Sequence, residues 1–353
     1  WVKHIPENVK VYICFDNDEP GRDAADKLAE RIGIERCYNV VIPDCKDAYE
    51  LLIRGGINSD FQILLDNAPK FKIKDVYKIS EIFDKLKNNR LDRIKTFSDV
   101  LTAHLNGGIP NQSLVTISGR TGQGKSTLLL NMMVGHADEG RPVLLVSLEN
   151  DLYFTIQRIL EIKYKKVYNE FTKKDWKAIY EEMADYPFYV DTSMDTYTMD
   201  KIEKVVDQAK KTLGIQFFGF DHIGFIPNRD DAKEISQMVR EFKMLARKYN
   251  IIVYMISHVR KVMGGNSDLS TEELKGAASI GQDSDIVLFI YGTRSGHEIS
   301  IDKARMSRSK LRIPVVFNGD MGIISDDPDR SVKQYDETVD APVVKEEVKE
   351  LEY

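Results

Sequence analysis

The sequence contains no uninterrupted run of about eighteen apolar residues, the length that a membrane-spanning helix needs, so we predict no membrane partner. It also lacks a basic and apolar leader at its start. The chain begins at Trp1 rather than Met, and we therefore interpret it as a fragment of a longer protein.

Cysteine is scarce. Cys14, Cys37 and Cys45 are the 3 cysteines in 353 residues, an odd count without the spacing of a zinc site. This predicts reduced thiols in a cytosol-like compartment rather than a disulfide framework or a structural zinc site.

The sequence also has no excess of positive charge, since its formal net charge is −6. Residues 326–353 contain 10 carboxylates and 4 basic residues, a net of −6, so the rest of the chain is near neutral (−6 minus −6). Any contact with nucleic acid must then come from a few local loops rather than from a basic body.

What the sequence does contain is an alternation of strand and helix patterns, which predicts an α/β fold with a parallel sheet. In the first part of the chain, residues 9–15 and 39–43 are predicted strands, and residues 21–32 and 47–53 are predicted helices. Further along, short continuous apolar runs are typical of strands buried on both faces. These predicted strands are residues 114–118, 142–147, 216–220, 251–256 and 286–291.

A glycine-rich loop follows the first of these buried strands. It fits the phosphate-binding pattern G-x-x-x-x-G-K-[ST] at every required position and opens a helical run. The loop and the residue after it are Gly119, Arg120, Thr121, Gly122, Gln123, Gly124, Lys125, Ser126 and Thr127. Backbone N–H groups and the helix N-terminus would hold the phosphates, Lys125 would neutralise them, and Ser126 would offer its hydroxyl to Mg²⁺. We predict a nucleotide site.

Polar residues follow three other predicted strands, and the carboxyl ends of parallel strands share one edge of a sheet. Asp221 is predicted to hold Mg²⁺, Glu149 to activate the attacking water, and His258 to sense the γ-phosphate. A single Asp, Glu or His at the end of a strand is more often a helix cap or a structural residue than a catalytic one.

Lys303 and Arg305 lie two apart in the predicted strand 299–306, so both side chains should project to one face. They are candidates for a finger pair that reaches the γ-phosphate of a neighbouring subunit. A solvated basic strand is the alternative.

The order of these motifs resembles the ring helicases of the DnaB type, and among them the bifunctional primase-helicases of the podophage and Twinkle type. The motifs that carry the resemblance are the P-loop, Ser147-Leu148-Glu149, Phe220-Asp221-His222, Ile256-Ser257-His258, Gln282-Asp283-Ser284-Asp285 and Lys303-Ala304-Arg305. The resemblance implies a RecA-like P-loop NTPase core and a homo-hexamer or heptamer with ATP or dTTP between subunits.

It further implies that Glu149 is the catalytic base, that Lys303 and Arg305 act in trans, and that His258 and Gln282 couple the γ-phosphate to DNA. Phe317 would stack on the nucleotide base. The DNA-binding loops of the family would follow Asp221 and His258, and the second of them would contact single-stranded DNA, along which the ring would move in the 5′–3′ direction. The residues of that loop are Arg260, Lys261, Gly264, Gly265 and Asn266.

The front of the chain resembles part of the TOPRIM fold of phage primases. The residues that carry this likeness are Asp16, Asp18, Gly21 and the run Lys46-Asp47-Ala48. Asp16, Asp18 and Asp47 would hold Mg²⁺, although two carboxylates at i and i+2 also suit an acidic turn. The glutamate strand and zinc module of a full primase are not in the sequence, so we do not expect priming.

These patterns together predict four regions: a partial TOPRIM domain at 1–70, a linker at 71–96, a RecA-like helicase domain at 97–325 and a disordered acidic tail at 326–353. In the linker, residues 79–86 are predicted to form an amphipathic helix that packs either on its own domain or on a neighbouring subunit. The tail either solvates the protein or docks onto a replicative polymerase.

A DNA helicase of the cytoplasm of a bacterial or phage-infected cell is therefore the first interpretation, with the mitochondrial matrix as the alternative location. A recombinase-like ATPase and a non-catalytic nucleotide-binding loader remain as alternative functions.

Overall fold

The structure, a computed structural model, describes residues 2–73, 76, 78–80, 83, 92–148, 150–191, 198–221, 232–258, 277–293 and 296–334. The chain divides into two compact units, Trp1–Arg90 and Leu91–Tyr353, and the division falls within the predicted linker. No helix among these described residues is long and apolar enough to cross a membrane. Most of the predicted helix 79–86 lies outside the described residues.

The first unit is a small α/β arrangement. Its elements are a 3-10 helix Val2–His4, β1 Val11–Ile13, α1 Glu19–Ile32, a 3-10 helix Ile34–Arg36, β2 Cys37–Asn39, α2 Ala48–Ile53 and α3 Asn58–Asp66. Strands β1 and β2 are parallel, as predicted, with Val11 opposite Cys37. Its core contains Ile13, Ala25, Ala29, Ile32, Cys37 and Phe71.

One boundary in this unit was predicted wrongly. The second strand was placed at residues 39–43, but β2 ends at Asn39. One more hydrogen bond, from Val40 N to Ile13 O, extends the pairing before the chain turns away. Pro43 has no N–H to donate and Asp44 has a φ of 57°, so neither suits a continued strand. Val40 and Ile42 lie beyond the strand but are buried, which explains the apolar run that the prediction interpreted as strand.

The second unit is built around one sheet. Its helices are α4 Asp99–His104, α5 Lys125–Asp138, α6 Leu152–Tyr164, α7 Lys173–Met183, α8 Met199–Leu213, α9 Ala232–Lys248 and α10 Ala277–Asp283, with a 3-10 helix Tyr168–Glu170. Its strands are β3 Arg93–Ile94, β4 Ile109–Pro110, β5 Leu114–Gly119, β6 Val143–Ser147, β7 Phe188–Asp191, β8 Phe217–Asp221, β9 Ile252–His258, β10 Ile286–Thr293, β11 Gly296–Ala304, β12 Leu311–Asn318, β13 Ile323–Asp326 and β14 Lys333–Gln334.

The sheet has the strand order β13-β12-β11-β10-β5-β9-β8-β6-β7, with β14 added beside β12. The strands from β10 to β7 in this order are parallel, and β10, β11, β12 and β13 are antiparallel to one another. The five predicted buried strands are confirmed as β5, β6, β8, β9 and β10, each within two residues of its predicted bounds. The predicted strand 299–306 is β11, which ends at Ala304, so Arg305 lies just beyond it.

Helices cover both faces of the parallel part, which explains the continuous apolar runs. Ile252, Tyr254 and Ile256 of β9 pack in one core with residues of α5. Val253 and Met255, the residues between them, pack in a second core with residues of α8 and α9. The alternation follows from the two-residue period of a strand.

Residues 326–334, predicted as the start of the disordered tail, are folded. Residues 326–334 belong to the sheet region, where Ser325 and Asp326 pair with β12 and β14 adds a short strand. The Arg330 guanidinium donates to the carbonyls of His297 and Val315 and pairs with Asp327. The prediction was based on acidic composition, which does not show that Asp326 has a structural role. Its carboxylate accepts a hydrogen bond from Val100 N.

A buried polar pair joins α5 to β9 inside the first of these two cores. The Tyr254 hydroxyl lies 2.7 Å from His136 Nε2, and the His136 ring stacks on Phe217 with centroids 3.8 Å apart. Both residues are almost fully buried. Burial, followed by the charge of Arg141, lowers the pKa of His136 to about 3. The imidazole is therefore neutral in the folded protein.

This pair generates a stability prediction. Unfolded His136 takes up a proton below about pH 6.5 and folded His136 does not until about pH 3, so its contribution to stability is lost as pH falls through that window. The slope is at most about 1.4 kcal/mol per pH unit. His136→Gln should flatten the decline in the free energy of unfolding from pH 6.5 to pH 4, measured by urea unfolding of the full chain. Tyr254→Phe is the control, since it loses about 1 kcal/mol of hydrogen bonding but keeps the slope. Equal slopes for the wild type and His136→Gln would contradict the assignment.

Candidate nucleotide site and finger pair

The phosphate-binding loop joins β5 to α5 with the backbone that its glycines permit. Gly122 and Gly124 have φ values of 76° and 93°, which L-residues with a Cβ rarely adopt. Gly124 is in the left-handed conformation and is the N-cap of α5. The loop therefore directs the N–H groups of the first turn of α5 toward one point, as an anion site requires.

Three side chains complete this end of the sheet. Lys125 is 7% exposed and its ammonium donates to Arg120 O at 3.1 Å. The Ser126 hydroxyl donates to Asp221 Oδ1 at 3.3 Å, and Asp221 is the last residue of β8. A hydroxyl and a carboxylate that face each other at this distance are oxygen ligands of the kind that Mg²⁺ takes, so the two residues fit a Mg²⁺ ion.

Phe317 of β12 lies directly against the loop. A Cβ added to Gly124 would come within 2.8 Å of Phe317 Cε2, so the ring occupies the space that a side chain there would need. The His297 ring stacks on Phe317 with centroids 4.7 Å apart and planes inclined by 24°. The structure thus places Phe317 beside the loop; its role in stacking on the base, which the family resemblance implies, stays a prediction.

Two residues that the sequence analysis missed hold the turn after Phe317. The Asn131 amide of α5 donates to Gly322 O at 2.8 Å and accepts from Ile324 N at 3.1 Å. The Arg158 guanidinium donates to Asp320 O at 2.6 Å. Nothing in the local sequence marks these contacts, because each partner is more than 160 residues away in the chain.

Lys303 and Arg305 both donate to the backbone carbonyl of Gln282. The Lys303 ammonium donates to the backbone oxygens of Gly281 and Gln282, and Arg305 Nη2 donates to Gln282 O at 2.7 Å. Burial, followed by the positive charge of Arg305, lowers the pKa of Lys303. Asp285 lies 3.8 Å from Arg305 Nε and also pairs with Lys243.

The finger pair lies at the opposite edge of the sheet from the P-loop. Strand β10 is parallel to β5, with Ile286 opposite Val115 near the start of β5. Strand β11 returns antiparallel and brings Ala304 opposite Ile286. The six residues of β5 therefore separate the fingers from the P-loop by about 17 Å. Gln282 lies at the finger edge too, whereas His258 pairs with Gly119 at the P-loop edge.

Some predicted site residues lie outside the described residues. These are Glu149 and the loop residues Arg260, Lys261, Gly264, Gly265 and Asn266. For His258 the backbone is described and the side chain is not. Their predicted roles stay predictions.

In the first unit, the predicted carboxylates of the TOPRIM-like segment have protein partners. Asp18 accepts from Gly21 N as the N-cap of α1, and Asp47 accepts from Glu50 N as the N-cap of α2. The Lys46 ammonium lies 3.5 Å from Asp16 and 4.0 Å from Asp18. Among the described residues no three His, Cys, Asp or Glu side chains are grouped as a metal site.

Residues 94–325, which are more than half of the chain, match the family model described as the DnaB-like helicase C terminal domain. The chain belongs to the DnaB-like helicase family. Residues 2–52 match the Toprim-like model. Both matches confirm the resemblances on which the sequence analysis depends.

Curated relatives agree with the family. The chain is 22% identical over 342 residues to the Twinkle homolog protein, chloroplastic/mitochondrial, of Arabidopsis thaliana, covering 88% of this chain and 47% of that protein. It is 23% identical to a probable replicative DNA helicase of Trieres chinensis, covering 62% and 52%, and 25% identical to the replicative DNA helicase DnaB of Pasteurella multocida, covering 61% and 50%. The chain thus spans about half the length of these relatives.

Two solved structures share the fold. One of them, an ATPase domain, superposes with a TM-score of 0.62 at 18% identity, covering 71% of this chain and 99% of that one. The other, a DnaB-like replicative helicase studied with its interactions with primase, gives a TM-score of 0.60 at 17% identity, covering 86% and 76%. The predicted fold class, a RecA-like α/β core preceded by a TOPRIM-like segment, is confirmed.

The contact between Gly124 and Phe317 generates a prediction. Gly122→Ala and Gly124→Ala each force a left-handed residue, which costs about 1–2 kcal/mol and should weaken nucleotide binding about 5- to 30-fold. Gly124→Ala should weaken it further, because its Cβ meets Phe317, whereas no atom lies within 4 Å at Gly122. Binding of a fluorescent nucleotide with Mg²⁺ measures both.

Phe317→Ala supplies the control in a double-mutant cycle. It should partly offset Gly124→Ala and leave the effect of Gly122→Ala unchanged. If its coupling to the two glycines is equal, Phe317 does not contact the loop as described.

Proposed function

We propose that the intact protein is a ring-forming replicative DNA helicase that moves along single-stranded DNA by hydrolysing nucleoside triphosphate at subunit interfaces. The observation that carries this proposal is the separation of Lys303 and Arg305 from the P-loop of their own chain. Side chains of this length do not span about 17 Å, so the finger pair can reach only the nucleotide of another subunit. A head-to-tail arrangement of such sites closes into a ring.

The roles within each site follow from this arrangement. The P-loop and Lys125 bind the phosphates of ATP or dTTP, Ser126 and Asp221 hold Mg²⁺, and Phe317 stacks on the base. Glu149 activates the attacking water, and His258 senses the γ-phosphate from the same edge. Gln282 acts from the neighbouring subunit with the fingers, because it shares their edge of the sheet.

Single-stranded DNA is the proposed track. Its contacts are the loop residues Arg260, Lys261, Gly264, Gly265 and Asn266, which follow β9 and so connect directly to His258. We propose 5′–3′ movement and a homo-hexamer or heptamer by resemblance to the family. A tail that binds a replicative polymerase and a cytoplasmic location are further proposals of the same kind.

We propose no priming activity for this chain. In the TOPRIM-like unit, the Lys46 ammonium already lies within 4.0 Å of both Asp16 and Asp18. Asp18 and Asp47 also serve as helix caps, so their carboxylates have a structural use that needs no metal ion. Mg²⁺ held by Asp16, Asp18 and Asp47 would have to displace Lys46.

Trans catalysis can be tested by mixing two inactive variants. Lys125→Ala removes the phosphate lysine and Arg305→Ala removes the finger, so neither variant alone should hydrolyse nucleotide. In mixed rings, an Arg305→Ala subunit offers an intact P-loop to the intact finger of a Lys125→Ala neighbour, at about one interface in four for random equal mixing. DNA-stimulated hydrolysis by the mixture should exceed that of both variants. Hydrolysis no greater than the sum of the two would argue for a site contained in one subunit.

Glu149→Gln separates a helicase from a non-catalytic loader. The substitution keeps the shape and removes the base, so hydrolysis should fall at least about a hundredfold while nucleotide and DNA binding persist. The control is Glu170→Gln, which removes one exposed carboxylate from the same unit and should leave hydrolysis unchanged. Undiminished turnover in Glu149→Gln would show that another group is the base.

A further inference from the structure

The segment between α6 and β7 carries a concentration of lysine and aromatic residues that the proposed function does not use. Residues 163–180 contain 6 lysines, 5 aromatic residues and only 2 carboxylates, in a chain whose net charge is −6. The segment includes the end of α6, the 3-10 helix Tyr168–Glu170 and most of α7. Local positive charge of this kind needs its own explanation.

Part of the segment is structural. The Lys163 ammonium pairs with Asp138 and Glu182, and Lys166 pairs with Asp175 at 2.8 Å. Tyr168 and Phe171 pack against Trp176, with ring centroids 5.5 and 5.4 Å apart. These contacts fix the start of α7 and leave one side of Trp176 toward solvent, since the residue is 38% exposed.

The outer side of α7 combines aromatic and basic residues. Lys173, Trp176, Lys177 and Tyr180 are spaced i, i+3, i+4 and i+7, which puts them on one side of a helix. Tyr180 is 81% exposed, whereas Ile179 on the other side is buried. We call Lys173, Lys174, Trp176, Lys177 and Tyr180 the α7 face.

Two lysines of the α7 face occupy positions that are unfavourable for the stability of the helix. Lys173 and Lys174 occupy the first turn of α7, where the helix dipole favours carboxylates. Within the described residues no carboxylate lies within salt-bridge distance of Lys173, Lys174 or Lys177. Two of the acidic residues near them in sequence have other partners: Asp175 is held by Lys166 and Thr172, and Glu182 by Lys163 and Tyr164. The other two, Glu170 and Glu181, form no ion pair with these lysines in the described part of the chain.

We propose that the α7 face binds single-stranded nucleic acid. Charge complementarity identifies the occupant: two lysines in the first turn of a helix and a third one turn further along suit consecutive phosphates, and exposed Trp176 and Tyr180 rings suit stacked bases. Duplex DNA would offer the phosphates without the exposed bases. The face contains no residue of the loop proposed to hold the DNA track, which follows β9, so it is a second site that suits the displaced strand.

The sequence supplies its own probe. The chain contains 2 tryptophans, Trp1 and Trp176, so Trp1→Phe leaves Trp176 as the single reporter. In that background, an oligo(dT) of about 12 nucleotides should quench the Trp176 fluorescence as bases stack on it. Tyr180→Ser should weaken the titration, and Lys173→Gln with Lys177→Gln should weaken it further. Each phosphate contact with a single strand contributes about 0.7 to the slope of log K against log salt concentration. The double lysine variant should therefore lower the magnitude of that slope by about 1.4.

The matched control removes two lysines from α8, the next helix of the chain. Lys204→Gln with Lys211→Gln changes the net charge equally and should leave quenching and its salt slope unchanged. Absence of quenching, or equal effects of the two lysine pairs, would overturn the proposal. Quenching by poly-glutamate as strong as by oligo(dT) would overturn it in favour of an acidic protein partner. An oligo(U) titration distinguishes RNA from DNA as the preferred source of the strand.

This site does not depend on the helicase proposal. Lys125→Ala should abolish hydrolysis and leave the quenching intact, because the α7 face contains no residue of the nucleotide site. If quenching holds and DNA-stimulated hydrolysis is never found, the proposed function fails and the α7 face remains. If hydrolysis behaves as proposed and the Trp176 fluorescence does not change with oligo(dT), the proposed function stands and the α7 face is not a nucleic-acid site.

Discussion

Strand β5 pairs with β9 on one side and β10 on the other, and all six of its residues are buried. Its backbone groups are therefore satisfied by two neighbours in a medium where an unpaired N–H or C=O is costly. Its carboxyl end continues into the phosphate-binding loop. Its amino end is held by Asp285, whose carboxylate accepts from Leu114 N at 2.8 Å and whose N–H donates to Leu114 O at 2.9 Å. Both functional edges of the sheet are thus fixed by the position of one strand.

Because the pairing changes from parallel to antiparallel at β10, predicted site residues lie at both ends of the strands of this sheet. Parallel strands bring their carboxyl ends together, which places Gly119, Asp221 and His258 at one edge. The antiparallel return of β11 reverses the direction and delivers Lys303 and Arg305 to the other. A second reversal brings Phe317 on β12 back to the P-loop. The order of hairpins therefore decides which residues lie beside the P-loop of their own chain and which lie at the opposite end of the sheet.

Much of this arrangement could be predicted from the sequence, because its signals are local. The P-loop is a contiguous motif, and β5, β6, β8, β9 and β10 are continuous apolar runs. The edge strand β7 was missed, since all four of its residues are only half-buried and it has no such run. Asn131, which holds the turn after Phe317, was missed because its partners Gly322 and Ile324 are distant in sequence. The pairing of β11 decides on which edge the fingers lie, and no local pattern specifies it.

Predictions based on residue type were incomplete where an acidic residue also has a structural role. Asp326 adds to the acidity of the C-terminal region, yet its carboxylate holds Val100 N and pairs with the Ser98 hydroxyl at the start of α4. Asp18 and Asp47 suit a metal site by type, yet each caps a helix. The type of a residue limits the roles that its side chain can have, and its neighbours in the structure determine which of those roles it has.

The environment of the finger pair shows what those neighbours can do. Two cations side by side repel each other, and the lowered pKa of Lys303 reflects its partial burial and the charge of Arg305. The carbonyls of Gly281 and Gln282, at the negative end of α10, and the carboxylate of Asp285 offset that repulsion without neutralising it fully. An incoming phosphate would relieve the remaining repulsion, so the pair favours an anion more than either residue would alone. The same hydrogen bonds connect the pair to α10, so under the proposed function a change at the pair would reach the helix that precedes β10.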